Sequence, residues 1–249
     1  YVYPQYPMEK IMDTMRPIYE KAVADAKAAD TPEKRRGVGI AWGGFNVTEG
    51  GGDSAEVALE LMPGNKIRKY DTWHAMGQGA TTGTLVVTLE ALKEMHLTPE
   101  DIQLIQNDTK TCPDTGMAGA SRSLYMDGNA TIIAANKLLA AMRKEDGTLR
   151  TYDEMKAEGI ETKYLGRYET NTTPGLCRLD PNTGIGDPTP AFTYCLNLAE
   201  VEVDTKTGKT TVLKFTCVDF VGRIGNIDAV NGQAYSGIMH GIGFALKED

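Results

Sequence analysis

Three segments of this chain combine glycine-bearing loops with side chains that can hold an anion or a polar ring. The first, His74-Ala75-Met76-Gly77-Gln78-Gly79-Ala80, joins an alternating strand pattern to a helical pattern opening near Thr81. A strand, a glycine loop and a helix N-terminus in that order converge backbone N–H groups on one point, which suits an anion. Glycines let a phosphate or planar ring approach the backbone closely, and Gln78 can both donate and accept along a heterocycle edge. The segment is not a P-loop, because the lysine is missing, nor a dinucleotide fingerprint, because the third glycine is displaced; a tight structural turn would use the same residues. The second segment, Asp114-Thr115-Gly116-Met117-Ala118-Gly119-Ala120-Ser121-Arg122, again follows a strand and leads towards a helix. Its small residues permit close contact, Ser121 offers a hydroxyl, and Arg122 can fork onto a phosphate or pair with a surface carboxylate. The third runs from Asp219 through Gly222, Gly225 and Asn226 to Asn231-Gly232-Gln233-Ala234-Tyr235. There Gly237, Gly241 and Gly243 flatten one helix face, which close helix packing would also explain.

Those loops need strands and helices to hold them. Ile11, Met15, Ile18, Ala22 and Ala26 fall near 3.6-residue spacing and predict a helix over Pro7 to Ala29, ended by Asp30-Thr31-Pro32. Gly37 to Trp42, Ala55 to Leu61, Lys66 to Trp73 and Ile102 to Asn107 read as strands. Thr81 to Met95 and Gly128 to Lys144 read as amphipathic helices, and Thr151 caps a short one reaching Gly159. Thr193 to Asp204 and Thr210 to Asp219 predict a hairpin about Thr205-Lys206-Thr207-Gly208, and Asn231 to Leu246 a final glycine-punctuated helix. Strands and helices mixed in this order predict an α+β fold of mixed sheets with packed helices. No low-complexity linker divides the chain, which is taken as one domain over 1–249 with subdomains at 1–150 and 151–249. The last helix is apolar and unfollowed by a turn signal, so the natural sequence is expected to continue past Asp249.

Composition narrows the function. Hydrophobic residues at 41 % and charged residues at 24 % suit a globular protein and not a disordered one. With a net charge of -8 and no clustered Lys/Arg stripe, binding to nucleic acid or to an anionic membrane surface is disfavoured. No apolar run is long enough to span a bilayer, and Tyr1 to Pro7 lacks the basic start and apolar core of a signal peptide. Cys112, Cys177, Cys195 and Cys217 show no CxxC spacing, which argues against a zinc ribbon or iron–sulfur site within the chain. They read as reduced thiols of a cytoplasmic protein. His74, His96 and His240 show no HxxxH spacing, and no direct metal ligand is assigned.

The ordered set of segments resembles the molybdopterin-binding subunit of the xanthine oxidase family, and most closely bacterial aldehyde oxidoreductases. It runs from MEKIMDTMRP through GVGIAWG, GQGATTGTLVVTLEAL, TPEDIQLIQNDTKTCPDTGMAGASR, YDEMKAEG and AEVEVDTKTGKTTV to GQAYSGIMHGIGFALKED. The order is specific, whereas each piece alone is not. The resemblance implies that the chain is the second half of the molybdopterin-binding region, incomplete at its C-terminus. It implies that Gly77, Gln78, Gly79, Ala80 and Thr81 contact a pyranopterin cofactor, that Gly119, Ala120, Ser121 and Arg122 form a second contacting loop, and that Asn226 and Gln233 lie in a third. In that third region the family often has proline after the asparagine, where Ile227 stands here. The implied cofactor is molybdenum-pyranopterin, as molybdopterin or its cytosine dinucleotide. Two-iron two-sulfur clusters, and in some members FAD, sit on partner domains or chains. Family members hydroxylate a carbon centre with water-derived oxygen. Their catalytic Glu lies in a GxGE motif downstream of the helix matching Gly232 to Leu246, so no catalytic residue is assigned in this chain and the Glu is expected beyond Asp249. The expected partners are the remaining molybdenum-domain segments, an iron–sulfur subunit or domain, and a small-molecule substrate. Oxidation of an aldehyde to a carboxylic acid is the favoured reading. Hydroxylation of purines or other N-heterocycles, and a non-catalytic binding or assembly module, are the alternatives.

Overall fold

The computed structural model describes residues 7–48, 52–170, 177, 179–187 and 189–248; the Tyr/Pro-rich start before Pro7, and Asp249, lie outside the described residues. In chain order the main elements are α1 (Met8–Ala29), β1 (Lys34–Val47), β2 (Ser54–Met62), β3 (Lys66–Asp71), α2 (Ala80–Ala91), β4 (Ile102–Gln106), α3 (Ser123–Met142), α4 (Tyr152–Ala157), β5 (Lys163–Glu169), β6 (Ala191–Asp204), β7 (Thr210–Phe220) and α5 (Ile227–Leu246). The fold is α+β, as the mixed pattern requires. It divides into two compact units, one made of the segment ending at Phe45 together with the segment from Ala191 onward, the other of Asn46–Pro190. The sequence reading drew its division at residue 150. The second unit instead runs past that point, because β5 pairs antiparallel with β2 from Ser54↔Glu169 to Glu60↔Lys163.

In the first unit a three-stranded sheet has the order β1-β6-β7. The β6–β7 hairpin forms where alternation and turn chemistry place it, with Asp204 Oδ1 accepting from the backbone of Lys206 and Thr207, both at 2.9 Å. Its apolar face meets α1, whose 3.6-residue stripe puts Ile11, Met15 and Ala22 against Leu196 and Leu198. Helix α5 follows β7 and buries none of its residues among the described residues. It opens at Ile227, four residues earlier than its glycine pattern suggests, because the Asn226 side chain caps it by accepting from Ala229 N at 3.1 Å.

The second unit carries a four-stranded sheet, β4-β3-β2-β5, in which β3 and β4 are parallel and the other neighbours antiparallel. Alternation along β2 and β3 turns Ala55, Val57, Leu59, Leu61 and Ile67 towards the helices, where they pack with Met126, Ala130, Ala134 and Leu138 of α3. Each fully buried aliphatic side chain of this kind contributes about 1.5–3 kcal/mol. The opposite face is polar: Tyr70 donates to Glu60, Lys163 Nζ lies 3.7 Å from the Tyr70 ring centroid, and Arg167 pairs with Glu56 at 2.7 Å. Strand β5 was not anticipated from the sequence. Its inward residues are Tyr164, Gly166 and Tyr168, and a glycine mid-strand breaks the apolar alternation that marks a strand. Helix α3 opens at Ser123 rather than Gly128; the exposed Leu124 in its first turn and the buried Asp127 in its second break the apolar stripe that marks a helix in sequence. No helix among the described residues is long and apolar enough to cross a membrane.

Gly166 explains the closeness of sheet and helix. A Cβ placed there would lie 2.0 Å from the Ala130 carbonyl oxygen and 2.5 Å from the Ala134 nitrogen. Gly166→Ala should therefore force α3 off the sheet and lower unfolding free energy by about 3 kcal/mol, the upper end for overpacking. Chemical denaturation checks this, and wild-type stability in the variant would show that α3 does not rest on β5 at Gly166.

Candidate functional site

The parallel pairing of β3 and β4 sets the site. The chain leaves β3 at Asp71, passes through the first glycine loop and enters α2; it leaves β4 at Gln106, passes through the second loop and enters α3. Both loops therefore start from the carboxyl ends of neighbouring parallel strands, where open sheets of this kind bind ligands. They are stitched together by reciprocal bonds: Thr72 N donates to Thr115 Oγ1 at 2.9 Å, and Thr115 N donates to Thr72 Oγ1 at 3.0 Å. The Thr115 hydroxyl then donates to Glu56 O at 2.9 Å, tying the second loop to β2.

In the first loop, Gly77 and Gly79 take φ of +98° and +84°, a backbone region that side chains disfavour. Gly79 is the N-cap of α2 and supplies no side-chain cap, and the first bond of the helix runs from Gly83 N to Gly79 O. The N–H groups of the first turn, from Ala80 to Thr82, thus have no acceptor within the helix. Thr81 is exposed and Ala80 buried beside them. Gln78 folds back on its own loop, donating to His74 O at 2.9 Å and accepting from Met76 N. Its amide retains one N–H and one lone pair for another partner.

The second loop carries backbone strain. Ala120 and Ser121 take φ of +48° and +50°, and Thr48, whose N–H donates to Ala120 O at 2.9 Å, takes +65°. Such conformations cost roughly 1–3 kcal/mol each and persist where the surroundings enforce them. Arg122 does much of the enforcing. Its Nε and Nη2 grip Asp53 at 2.6 and 2.7 Å, Nη2 also reaches Ser54 O at 2.9 Å, and Nη1 reaches Thr115 O at 3.0 Å and Met117 O at 2.6 Å. All five guanidinium N–H groups are used, and the residue is 3 % exposed. The phosphate fork expected of Arg122 is thus corrected: its donors are spent on shaping the loop from within. Gly116 makes room for it, since a Cβ there would lie 2.7 Å from Nη2. What the loop presents outward is the exposed Ser121 with the half-buried Gly119 and Ala120.

Asn226 and Gln233 belong to the other compact unit. The amide oxygen of Asn226 is committed to capping α5, and Gln233 stands exposed on that helix. Burial pushes the Cys217 thiol up to about 12, helped by its hydrogen bond to Asp219, so it is no thiolate nucleophile. All four cysteines are free, and among the described residues no cluster of His, Cys, Asp and Glu could hold a metal ion.

Sequence reasoning missed a sealed ionic network beneath the two loops. Lys69, Asp71 and Asp127 have no exposed side-chain surface; Lys69 Nζ lies 2.8 Å from Asp127 Oδ2 and 3.4 Å from Asp71 Oδ2. Alternation puts Lys69 and Asp71 on the same face as Ile67, but charged residues ordinarily read as pointing to water. The available signal was Asp127, a charge on the same helical stripe as Met126, Ala130, Thr131 and Ala134. Burial pushes the Asp127 carboxyl above the usual carboxylate range, with the Asp71 charge adding to the rise and Lys69 opposing it.

The sequence profile of the molybdopterin cofactor-binding domain family matches residues 14–249. The aldehyde oxidoreductase of Megalodesulfovibrio gigas is 37 % identical over 98 % of this chain, which spans 27 % of that protein. The crystal structure of the aldehyde oxidoreductase from Desulfovibrio desulfuricans superposes with a TM-score of 0.92 at 39 % identity, over 98 % of this chain and 26 % of that one. Quinoline 2-oxidoreductase from Pseudomonas putida shares the fold alone, with a TM-score of 0.69 at 17 % identity over 94 % of this chain and 33 % of that one. The chain thus spans about a quarter of the length of the first two relatives.

Two outcomes follow from the site's electrostatics. Arg122→Lys removes the planar fork and leaves carbonyl groups of the loop unpartnered. It should speed hydrogen exchange across 115–122 and cost about 2–3 kcal/mol of stability, and unchanged exchange would refute the role given to Arg122. The folded chain binds the Asp127 proton more tightly than the unfolded chain. Its contribution to stability is therefore fully present below the ordinary aspartate range and is lost as pH rises through the folded-state value. Asp127→Asn should flatten that decline in a denaturation series across pH; an unaltered slope would assign the decline to other groups.

Proposed function

The chain belongs to the molybdopterin cofactor-binding domain family, and on that premise we propose that it supplies cofactor-binding loops to a molybdenum-pterin oxidoreductase. The reaction proposed is oxidation of an aldehyde to a carboxylic acid, with the added oxygen drawn from water. One observation carries this reading: two small-residue loops leave the carboxyl ends of adjacent parallel strands, and each runs into a helix without a side-chain cap. The donor set fits a phosphate-bearing heterocycle. The free N–H groups at the start of α2 and the exposed hydroxyls of Thr81 and Ser121 suit phosphate oxygens. The glycines at 77 and 79 bring the backbone close enough to line a flat ring, and the unused hydrogen-bonding capacity of Gln78 suits its edge. Among the described residues nothing lies within 4 Å of a Cβ placed at Gly77, which leaves that side of the loop open to a ligand.

When bound, the molybdenum-pterin group would supply the centre that takes two electrons from the substrate. This chain's residues bind and orient that group, as molybdopterin or its cytosine dinucleotide. The base that acts on the oxygen donor is assigned to a Glu outside this chain, and the electron path to two-iron two-sulfur modules, with FAD where present. Aldehyde is preferred to purine or another N-heterocycle as substrate because the relatives named aldehyde oxidoreductase are 37 % and 39 % identical to this chain over 98 % of its length. The free cysteines accord with a reducing compartment such as the cytoplasm.

Thr81→Glu separates binding from folding. A carboxylate in the first turn of α2 interacts favourably with the helix dipole and should hold or raise stability by about 0.5 kcal/mol. The same charge would repel a phosphate, so the purified protein should carry several-fold less molybdenum and pterin. Full occupancy in this variant would remove α2's N-terminus from the cofactor site.

A further inference from the structure

The sealed network has a second connection that bears on the loops above it. The Thr84 hydroxyl accepts a hydrogen bond from Lys69 Nζ and donates to Asp71 Oδ2 at 3.0 Å, with Asp127 Oδ2 at 3.4 Å. Gln106 Nε2 and Trp73 N bond the other oxygen of Asp71 at 2.9 and 3.2 Å. Each member stands within about a turn of a loop. Asp71 ends β3, Thr84 lies in the second turn of α2, and Asp127 lies in the second turn of α3. Stability alone does not call for this arrangement, since apolar side chains of equal size replace buried ion pairs at no loss or with gain. Nor is the network closed: Asp127 Oδ1 and Trp73 Nε1 are buried with no hydrogen-bond partner among the described residues. What directional bonds supply and apolar contact does not is a fixed offset between elements, because packed helices can slide by fractions of an ångström while a hydrogen bond tolerates little change in length or angle.

We propose that Lys69, Asp71 and Asp127, joined through the Thr84 hydroxyl, are positioning residues that fix the uncapped starts of α2 and α3 relative to each other, so that one phosphate-bearing cofactor is gripped by both loops. This rests on the functional reading above and adds the device that aligns the two halves of the site. Misalignment of one grip weakens retention while leaving the fold standing.

The test uses the cofactor-loaded protein with two substitutions at one position. Thr84→Val keeps the volume and removes the hydroxyl; Thr84→Ser keeps the hydroxyl and removes a methyl. Molybdenum and pterin content, pterin release after dilution and the denaturation midpoint are measured together. Thr84→Val is expected to fold with a midpoint below the parent's, because buried Lys69 and Asp71 each lose a partner, and to release pterin roughly tenfold faster. Thr84→Ser is expected to release it at nearly the parent rate. Release from Ser as fast as from Val, or parent-like release from Val, would overturn the positioning role and leave only packing. Should Thr84→Val fail to fold, the double variant Lys69→Met with Asp127→Leu replaces the ion pair with apolar bulk; faster release supports the proposal and parent-like release overturns it. Absence of pterin and molybdenum from the parent protein would instead overturn the functional reading, and this proposal with it.

Discussion

One parallel pair of strands in an otherwise antiparallel sheet governs the second unit. Parallel neighbours cannot be joined by a tight turn, so the chain must leave the carboxyl end of β3, cross over and return to the start of β4. Helix α2 is that crossover, and the glycine loop is the only connection between the strand end and the helix start. The next departure, from β4, occurs beside the first. Two loops and two helix starts thereby share one edge of the sheet, stitched by the exchange between Thr72 and Thr115. Had β4 paired antiparallel, its exit would lie at the opposite edge, far from α2's first turn.

Given that placement, the chemistry of the edge follows from how polar groups are divided between shape and ligand. Buried donors and acceptors are nearly always partnered, and here the strongest donor set, the Arg122 guanidinium, turns inward and saturates itself on Asp53, two loop carbonyls and the Ser54 carbonyl of β2. The weaker donors, free N–H groups and exposed hydroxyls, are left facing out. A fully ionised side chain aimed at the ligand would bind any anion in reach. A cradle of neutral donors held in one shape favours a ligand whose oxygens are spaced to match. The strain at Ala120 and Ser121 fits this division, since it leaves Ser121 exposed while the buried Thr48 N–H holds the Ala120 carbonyl.

Much of this was legible in the residues, and what was not has physical causes. The periodic elements, α1 and the β6–β7 hairpin above all, follow from spacing because each buries one face against a single neighbour. Gly77 and Gly79 marked a turn, and both take positive φ there, since backbone conformation at glycine is a local property. Strand β5 escaped because its partner's helix needs a glycine where a strand normally shows an apolar residue. Arg122 was assigned outward because sequence gives no sign of Asp53, sixty-nine positions away, closing on it. The Lys69 network escaped for a similar reason: its three ionisable groups come from two elements, and only the tertiary packing brings them together. Local rules located the loops; the charges that shape and align them are long-range.

The contact at Gly166 has a consequence for how such a sequence can drift. An ordinary crowded core position can be relieved by a neighbouring side chain taking another rotamer, so substitutions there accumulate in compensating pairs. At Gly166 the opposing atoms are the Ala130 carbonyl and the Ala134 backbone nitrogen, with the Ala134 methyl group next at 3.0 Å. Backbone has no rotamers to offer. No second substitution on α3 can accommodate a methyl group at 166, so every single-step replacement is closed off. The only route open to descendants of this sequence is to move the whole helix, and with it the loop from which α3 starts. Position 166, remote in sequence from both small-residue loops, should therefore change as slowly over evolutionary time as the loops themselves.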